Sequence, residues 1–314
     1  MQKNLGKVIC IFGASGFIGR HLIRRLTKKD FRIIAVTRSP YLHGYLKPLG
    51  NPGQIDLEKV NLFDEERLRI LIKNSDMVIN LVGILCETKN QKFDDIHVKF
   101  PDLLSKLCSE LNIEKLAHIS ALGINETVSS QYMQSKLKGE KNITKNFNRS
   151  AILRPSVIFG PEDKFFNQFA SLAEFFPALP LIGGGLTYFQ PIYVGDIAKS
   201  IVAVLEKEEI NNNIYELGGP QTLTFKELME ILLKQTKRKR FLVPIPFSLA
   251  KFQARVLQLL PKPLLTTDQV EMLKYDSIVS NNYPTLKDLK INPKTIESVL
   301  PDYIWRFRKG GQFA

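Results

Sequence analysis

The chain has 314 residues, room for one large α/β domain and an appended region, and its 44% hydrophobic and 24% charged content, with 19 Gly and 17 Pro, excludes disordered, collagen-like and low-complexity architectures. Lys and Arg number 44 against 31 Asp and Glu, and the net charge of +13 favours acidic partners: phosphorylated ligands, anionic lipid, nucleic acid or a negative protein surface. The three cysteines, Cys10, Cys86 and Cys108, include no C-x-x-C pair, which argues against a disulfide framework or a zinc site and for a reducing compartment.

The opening residues, Met1-Gln-Lys-Asn-Leu-Gly-Lys7, carry neither the hydrophobic stretch of a signal peptide nor the Arg- and Ser-rich amphipathicity of a transit peptide. No stretch reaches the ~18 apolar residues a spanning helix needs. The expectation is a cytoplasmic protein, at most peripheral at the inner face of a bacterial plasma membrane. Short β-branched runs then alternate with amphipathic stretches, the pattern of βαβ units. Strands are predicted at Val8–Phe12, Arg32–Thr37, Gln54–Val60, Met77–Leu81, Lys115–Ile119 and Ser150–Leu153, and helices at Phe17–Lys28, Glu65–Lys73, Phe93–Leu111 and Tyr132–Lys145. Right-handed crossovers make this a doubly wound parallel Rossmann sheet with a crevice at the strands' carboxyl ends. The first domain is expected to span 1–155. Residues 156–314, richer in Pro and Gly clusters, form a smaller mixed α+β substrate or interaction region, some segments of which return to the sheet. In it, Thr224 and Glu227 form a capping-box pattern that opens a helix Phe225–Lys234.

Gly13-Ala-Ser15-Gly16-Phe17-Ile18-Gly19 follows the first strand and opens the first helix. A tight turn, close backbone approach and close helix packing at the three glycines leave helix amides aimed at phosphate oxygens, which identifies a dinucleotide site. The second strand ends at Thr37-Arg38, where an Asp or Glu would accept from a ribose 2′-OH. Arg38 instead suits a 2′-phosphate, so NADP(H) is preferred. An Arg stacked on adenine tolerates both cofactors, and NAD(H) stays open. Asn61 and Leu62, and Leu81, Val82 and Gly83, close two further strands at the same edge and are cofactor candidates.

Tyr132 and Lys136 stand four positions apart, neighbours on one helical face. The cation is expected to lower the Tyr pKa and equip it to move the proton that accompanies hydride transfer at a carbonyl or carbinol. Ser120, at the end of a strand, can polarise the same oxygen. Such pairs also occur on ordinary solvated helices; this one follows a dinucleotide motif and a strand-end Ser.

Together, Gly13-x-x-Gly16-x-x-Gly19, Ser120 and Tyr132-x-x-x-Lys136 resemble the short-chain dehydrogenase/reductase superfamily in its extended or atypical branch. That resemblance implies Tyr132 as acid/base, Lys136 as its support and as holder of the nicotinamide ribose, and Ser120 as the group that orients substrate. Arg154 to Pro161 resembles the segment passing the nicotinamide ring, which adds Pro155 to the cofactor set. Gln190 to Ala198 resembles the entry to a substrate-domain helix. Through His118–Gly123, Tyr215–Pro220, Leu265–Val270 and Arg308–Gln312, the whole chain is similar to the dehydrogenase-like accessory subunit family of respiratory complex I and its bacterial relatives. This second resemblance implies firm NADPH binding and complex I subunits as partners, with a nucleotide that is structural in mitochondrial members, which need not keep the Tyr. The present chain departs from them in retaining Tyr132 with Lys136 and in its expected lack of a targeting peptide. Ser120 and Tyr132 are only twelve positions apart, shorter than in most extended sugar-nucleotide enzymes.

Three functions follow as expectations. They are an NADP-preferring oxidoreductase acting on a small carbonyl or hydroxyl substrate, a non-catalytic nucleotide-stabilised subunit or assembly factor of NADH:quinone oxidoreductase, and a sugar-nucleotide epimerase or dehydratase. The basic run Lys237–Arg240 precedes Phe247–Leu260, where Leu249, Phe252, Val256 and Leu260 recur at helical spacing with Lys251 and Arg255 between them. Such a stripe is expected to be the buried face of a helix; contact with an anionic membrane or an acidic partner is the second reading. No nucleic-acid module is present, and His21, His43, His97 and His118 show no metal-ligand spacing, so neither nucleic acid nor metal is expected.

Overall fold

The computed structural model describes residues 6–260 and 263–311; the first five residues of the leading segment and Gln312 of the last motif lie outside the described residues. Strand β1 (Val8–Phe12) is apolar throughout and buried from Ile9 onward, as a strand covered on both faces must be. Its side chains alternate between two cores. Ile9 and Ile11 join one with Leu22, Ile23 and Leu26, while Cys10 and Phe12 join the other with Leu68, Phe100 and Leu104. After β1 come α1 (Phe17–Thr27), β2 (Arg32–Val36), β3 (Ile55–Glu58), α2 (Glu65–Lys73), β4 (Met77–Asn80), α3 (Phe100–Glu110), β5 (Lys115–Ile119), α4 (Gln131–Asn146) and β6 (Ser150–Pro155). A seventh strand, Asn213–Leu217, pairs with β6. The order across the all-parallel sheet is Asn213–Leu217, β6, β5, β4, β1, β2, β3. The chain winds outward from β1 in one direction and then resumes on its other side with β4, so the crevice opens between the carboxyl ends of β1 and β4.

The expected helix Phe93–Leu111 is not one regular helix. Asp94–Lys99 is π-helical, and α3 begins only at Phe100. Pro101 has no N–H to offer the His97 carbonyl one turn back, and the Phe100 amide reaches back five residues to Asp95 instead. α4 takes advantage of the widened turn: a Cβ on Gly139 would lie 2.0 Å from the His97 carbonyl oxygen, so only glycine allows this approach.

Beyond β6, α5 (Phe165–Phe175) and α7 (Phe225–Thr236) form a third core with the parallel pair Ala178–Ile182 and Phe241–Ile245 and the short helices Ile296–Val299 and Pro301–Ile304. Between them in sequence, α6 (Val194–Glu206) packs back onto α1 under the sheet. The capping box at Thr224 and Glu227 forms as expected and starts α7, which ends where Lys237 takes a left-handed φ of 52°. The helix α8 (Phe247–Leu257) reverses the expectation for its apolar stripe. Its small residues Ala250 and Ala254 face inward against Ile182 and Val270, while Phe252 and Val256 stay 63% and 56% exposed, with Leu249 and Leu260 also exposed. The small side chains allow close packing on α9 (Thr267–Met272), and the large ones are left outside. Among the described residues no helix is long and apolar enough to cross a membrane.

One carboxylate ties the third core to the rim of the crevice. Asp163 is buried and accepts from the amides of Gly160 at 3.1 Å and Phe166 at 2.6 Å and from the Tyr303 phenol at 2.6 Å. Asp163→Ala strands these donors, and denaturant unfolding should show a loss of about 2–5 kcal/mol, whereas Tyr303→Phe should cost about 1 kcal/mol.

Candidate active site

The loop after β1 forms a cradle that a dinucleotide fits. Gly13 has a φ of +81°, and a Cβ there would stand 3.1 Å from the Leu81 carbonyl carbon and 3.3 Å from the Val82 amide nitrogen. At Gly19 a Cβ would lie 2.2 Å from the Ala14 carbonyl oxygen, so α1 could not begin this close to the loop with any other residue. Gly16 caps α1 without a side-chain hydrogen bond, and the helix has no acid in its first turn. Its leading amides are thus suited to an anion, and Gly13, Ser15, Gly16, Phe17, Ile18 and Gly19 all line the cleft. At the end of β2, Thr37 lies within hydrogen-bond reach of Ser15 at 3.3 Å and His43 at 2.8 Å, and exposed Arg38 lines the adjoining rim. Leu81, Gly83 and Pro155 line the cleft as well. Asn61, Leu62 and Val82 lie off it: Asn61 turns its Oδ1 to the Phe63 amide, and Leu62 and Val82 pack against the core.

Ser120, Tyr132 and Lys136 converge on the same cleft. Lys136 Nζ donates to the Ile119 carbonyl at 3.0 Å, which ties α4 to the end of β5 directly before Ser120. Ser120 is buried with no hydrogen-bond partner for Oγ among the described residues, and so are Asn80 Nδ2 and both ring nitrogens of His118, which face each other in register on β4 and β5. Burial pushes Lys136 down to about 8, opposed by the Glu140 carboxylate. Tyr132 departs from the expected lowering. Burial, and then the Asp268 carboxylate, push its phenol up to about 12, while the Lys136 donor is turned to Ile119. Tyr132 therefore holds its proton through neutral pH.

Two residues here escaped sequence reasoning. His97, on the π-helical turn, presents its ring to the edge of Tyr132 at 5.4 Å between centroids. Its Nε2 accepts from the Ile84 amide at 3.1 Å, so in the neutral ring Nδ1 carries the proton and donates to Ser135 Oγ at 2.9 Å, which donates in turn to the Tyr132 carbonyl at 2.7 Å. Burial, reinforced by Lys136 and His118, pushes His97 down to about 2, so it stays neutral. The other is Asp268. Its carboxylate accepts from the amides of Gln131 at 2.7 Å and Tyr132 at 3.1 Å and from Ser130 Oγ at 2.9 Å, capping the helix that carries Tyr132 from far along the chain. Its sole signal in the sequence was membership of the stretch Leu265–Val270. Among the described residues no group of three His, Cys, Asp or Glu side chains could hold a metal. The cavity, about 1170 Å³, continues past Tyr132 between α5, α8 and α9.

The sequence profile of the NAD dependent epimerase/dehydratase family matches residues 9–218. A protein of Arabidopsis thaliana, NADH dehydrogenase (ubiquinone) 1 alpha subcomplex subunit 9, mitochondrial, is 32% identical over 98% of this chain and 79% of its own length. The protein of the same name from Mus musculus is 31% identical over 93% and 78%. In fold, the chain is similar to DesIV, a dTDP-glucose 4,6-dehydratase from Streptomyces venezuelae with NAD and TYD bound, at a TM-score of 0.71 and 17% identity over 96% of each chain.

The buried ammonium gives a pH signature. Folded, Lys136 gives up its proton at about 8 rather than 10.5, so between these values the unfolded chain binds more protons and stability rises with pH. Lys136→Met is free of this charge-burial penalty. Denaturant unfolding across that window should therefore shift the difference toward the wild type by roughly 3 kcal/mol, the equivalent of the pKa change.

Proposed function

This chain belongs to the NAD dependent epimerase/dehydratase family, and from that premise we propose that it is an NADP(H)-preferring oxidoreductase of the short-chain dehydrogenase type, a relative of the complex I subunit, that interconverts a carbonyl and a hydroxyl on a small molecule. The observation that carries this reading is the meeting, in one cleft, of the glycine cradle with Ser120, Tyr132 and Lys136. Gly13, Gly16, Gly19 and the leading amides of α1 would hold the diphosphate, Arg38 the 2′-phosphate and Lys136 the ribose, with Pro155 beside the ring. When bound, the nicotinamide coenzyme supplies or accepts hydride. Ser120 Oγ, buried and without a partner among the described residues, donates to the substrate oxygen. Tyr132, protonated at neutral pH, gives its proton to that oxygen as negative charge develops on it. Lys136, still largely charged at pH 7, stabilises the phenolate left behind. Neutral His97 holds the backbone of Tyr132 through Ser135 and takes no part in proton transfer.

A second reading rests on a separate observation. The relation to complex I subunits spans nearly the whole chain, and α8 presents an apolar stripe to the outside with Lys251 and Arg255 beside it. A nucleotide-stabilised subunit of NADH:quinone oxidoreductase would use such a stripe against a partner subunit or an anionic membrane surface.

Tyr132→Phe separates the two readings. As an oxidoreductase it should keep NADPH affinity while turnover on a carbonyl panel falls about 10²-fold or more; as a structural subunit, wild type and variant alike should hold nucleotide and turn over nothing. For cofactor choice, Arg38→Asp should weaken NADPH binding by calorimetry about 10- to 100-fold, the worth of a charge-assisted pair, and leave NADH binding equal or improved.

A further inference from the structure

We propose that the half of the cavity beyond Tyr132 is a channel for an aliphatic chain, and that the carbonyl compound reduced here is a long-chain aldehyde or ketone; the substrate assignment rests on the oxidoreductase reading. The channel is lined chiefly by apolar side chains, with the neutral amides of Gln168, Gln253 and Gln269 among them. α5 contributes Phe169 and Leu172, the strand Ala178–Ile182 its two end residues, α8 Leu257 and α9 Met272. These come from four elements, and two of them also carry the exposed apolar groups outside.

Charge points the same way. The chain carries 44 Lys and Arg, yet the described cavity lining includes only four, Arg20, Arg38, Lys136 and Lys164. Arg20 is on α1 and Arg38 at the end of β2, both at the nucleotide end, and Lys136 belongs to the catalytic helix. That leaves Lys164, exposed at the start of α5. A sugar nucleotide brings a second diphosphate that must be paired when it leaves water, and among the described residues the walls beyond Tyr132 offer it one exposed cation, Lys164, and the neutral amides of Gln168, Gln253 and Gln269. An aliphatic chain asks for nothing but removal from water, which these walls provide.

The channel also has an apolar exit. Phe176 and Leu264 line it and remain 55% and 52% exposed, and Gln168 Nε2 donates to the Leu264 carbonyl at 3.2 Å, closing a roof between α5 and the segment before α9. A chain too long for the channel would emerge beside Phe176 and Leu264, whereas a polar tail would have to cross this apolar rim. Reduction adds hydride to the carbonyl carbon and the Tyr132 proton to its oxygen, giving an alcohol and the oxidised dinucleotide, and the phenolate recovers a proton from water.

The test uses the full chain loaded with NADPH. A dansyl-tagged undecanoic acid is displaced by n-alkanols from butanol to dodecanol and by UDP-glucose, and n-aldehydes from butanal to dodecanal are assayed for NADPH oxidation. Wild type should bind each longer alkanol about three- to fourfold more tightly per methylene, the equivalent of roughly 0.8 kcal/mol, and kcat/KM for the aldehydes should climb in step. Ala178→Trp should flatten both series, and Leu257→Lys, a milder change at a half-buried position, should do so in part; retained NADPH binding shows that each variant folds. Turnover of butanal with no dependence on chain length overturns the channel and leaves the oxidoreductase reading standing. Chain-dependent binding with no aldehyde oxidising NADPH overturns the substrate assignment together with the reading beneath it. Displacement of the probe by UDP-glucose below the concentration needed of dodecanol overturns the channel in favour of a sugar nucleotide.

Discussion

A parallel sheet delivers every strand's carboxyl end to one edge, and here the chain reverses its direction of winding between β1 and β4, so two halves of the sheet part at that edge. What makes the gap usable is the missing Cβ at Gly13 and Gly19, where any other side chain would run into the backbone of Leu81 or Ala14. With these contacts α1 starts flush against the loop and its amides reach the cleft. The cost of exposing such amides is balanced elsewhere by apolar burial on both faces of β1. Ser120 and Lys136 depend on the same edge, since the carbonyl that holds Lys136 belongs to the last residue of β5.

Burial sets the chemical state of the site more strongly than charge pairing does. Lys136, His97 and Tyr132 are each driven first by desolvation toward their neutral forms. The expectation that an ammonium one turn away would dominate the Tyr overlooked two things: the ammonium is committed to a carbonyl, and a carboxylate from α9 sits at the start of the same helix. Asp268 thus does two jobs. It satisfies the amides at the start of α4, and by its charge it keeps the phenol protonated. The consequence is a dependence of the Tyr132 environment on a segment about 136 positions away, which makes the C-terminal region part of the site rather than a cover over it.

Much of this architecture was legible because it is local. The apolar runs of β1 to β6 set the strands to within a few residues, the glycine spacing announced the cradle, and Thr224 with Glu227 announced α7. What escaped depends on tertiary contact. Continuous amphipathicity from Phe93 to Leu111 concealed the π-helical turn, because the effect of Pro101 shows only once its lost donor is paired with the His97 carbonyl. Asn61, Leu62 and Val82 sit in loops at the right edge of the sheet, but none of the three is among the residues lining the cleft. The stripe on α8 had the spacing of a core face, yet periodicity cannot say which side a helix buries when its other side carries Ala250 and Ala254, small enough for close packing.

That inversion on α8 and the apolar walls beyond Tyr132 belong together. Leu257 lines the cavity from inside, while Phe252 and Val256 on the same helix face out, so apolar surface is continuous from the channel to the exterior around Phe176 and Leu264. A protein with a net charge of +13 that places a single described cation, Lys164, along this path is not lacking in basic residues; most of them are placed elsewhere. A ligand recognised by charge would be met at the nucleotide end, where Arg38 and the α1 amides lie, and one recognised by loss of water at the other. The two ends of one cavity thus select by different physics, and Tyr132 stands where they meet.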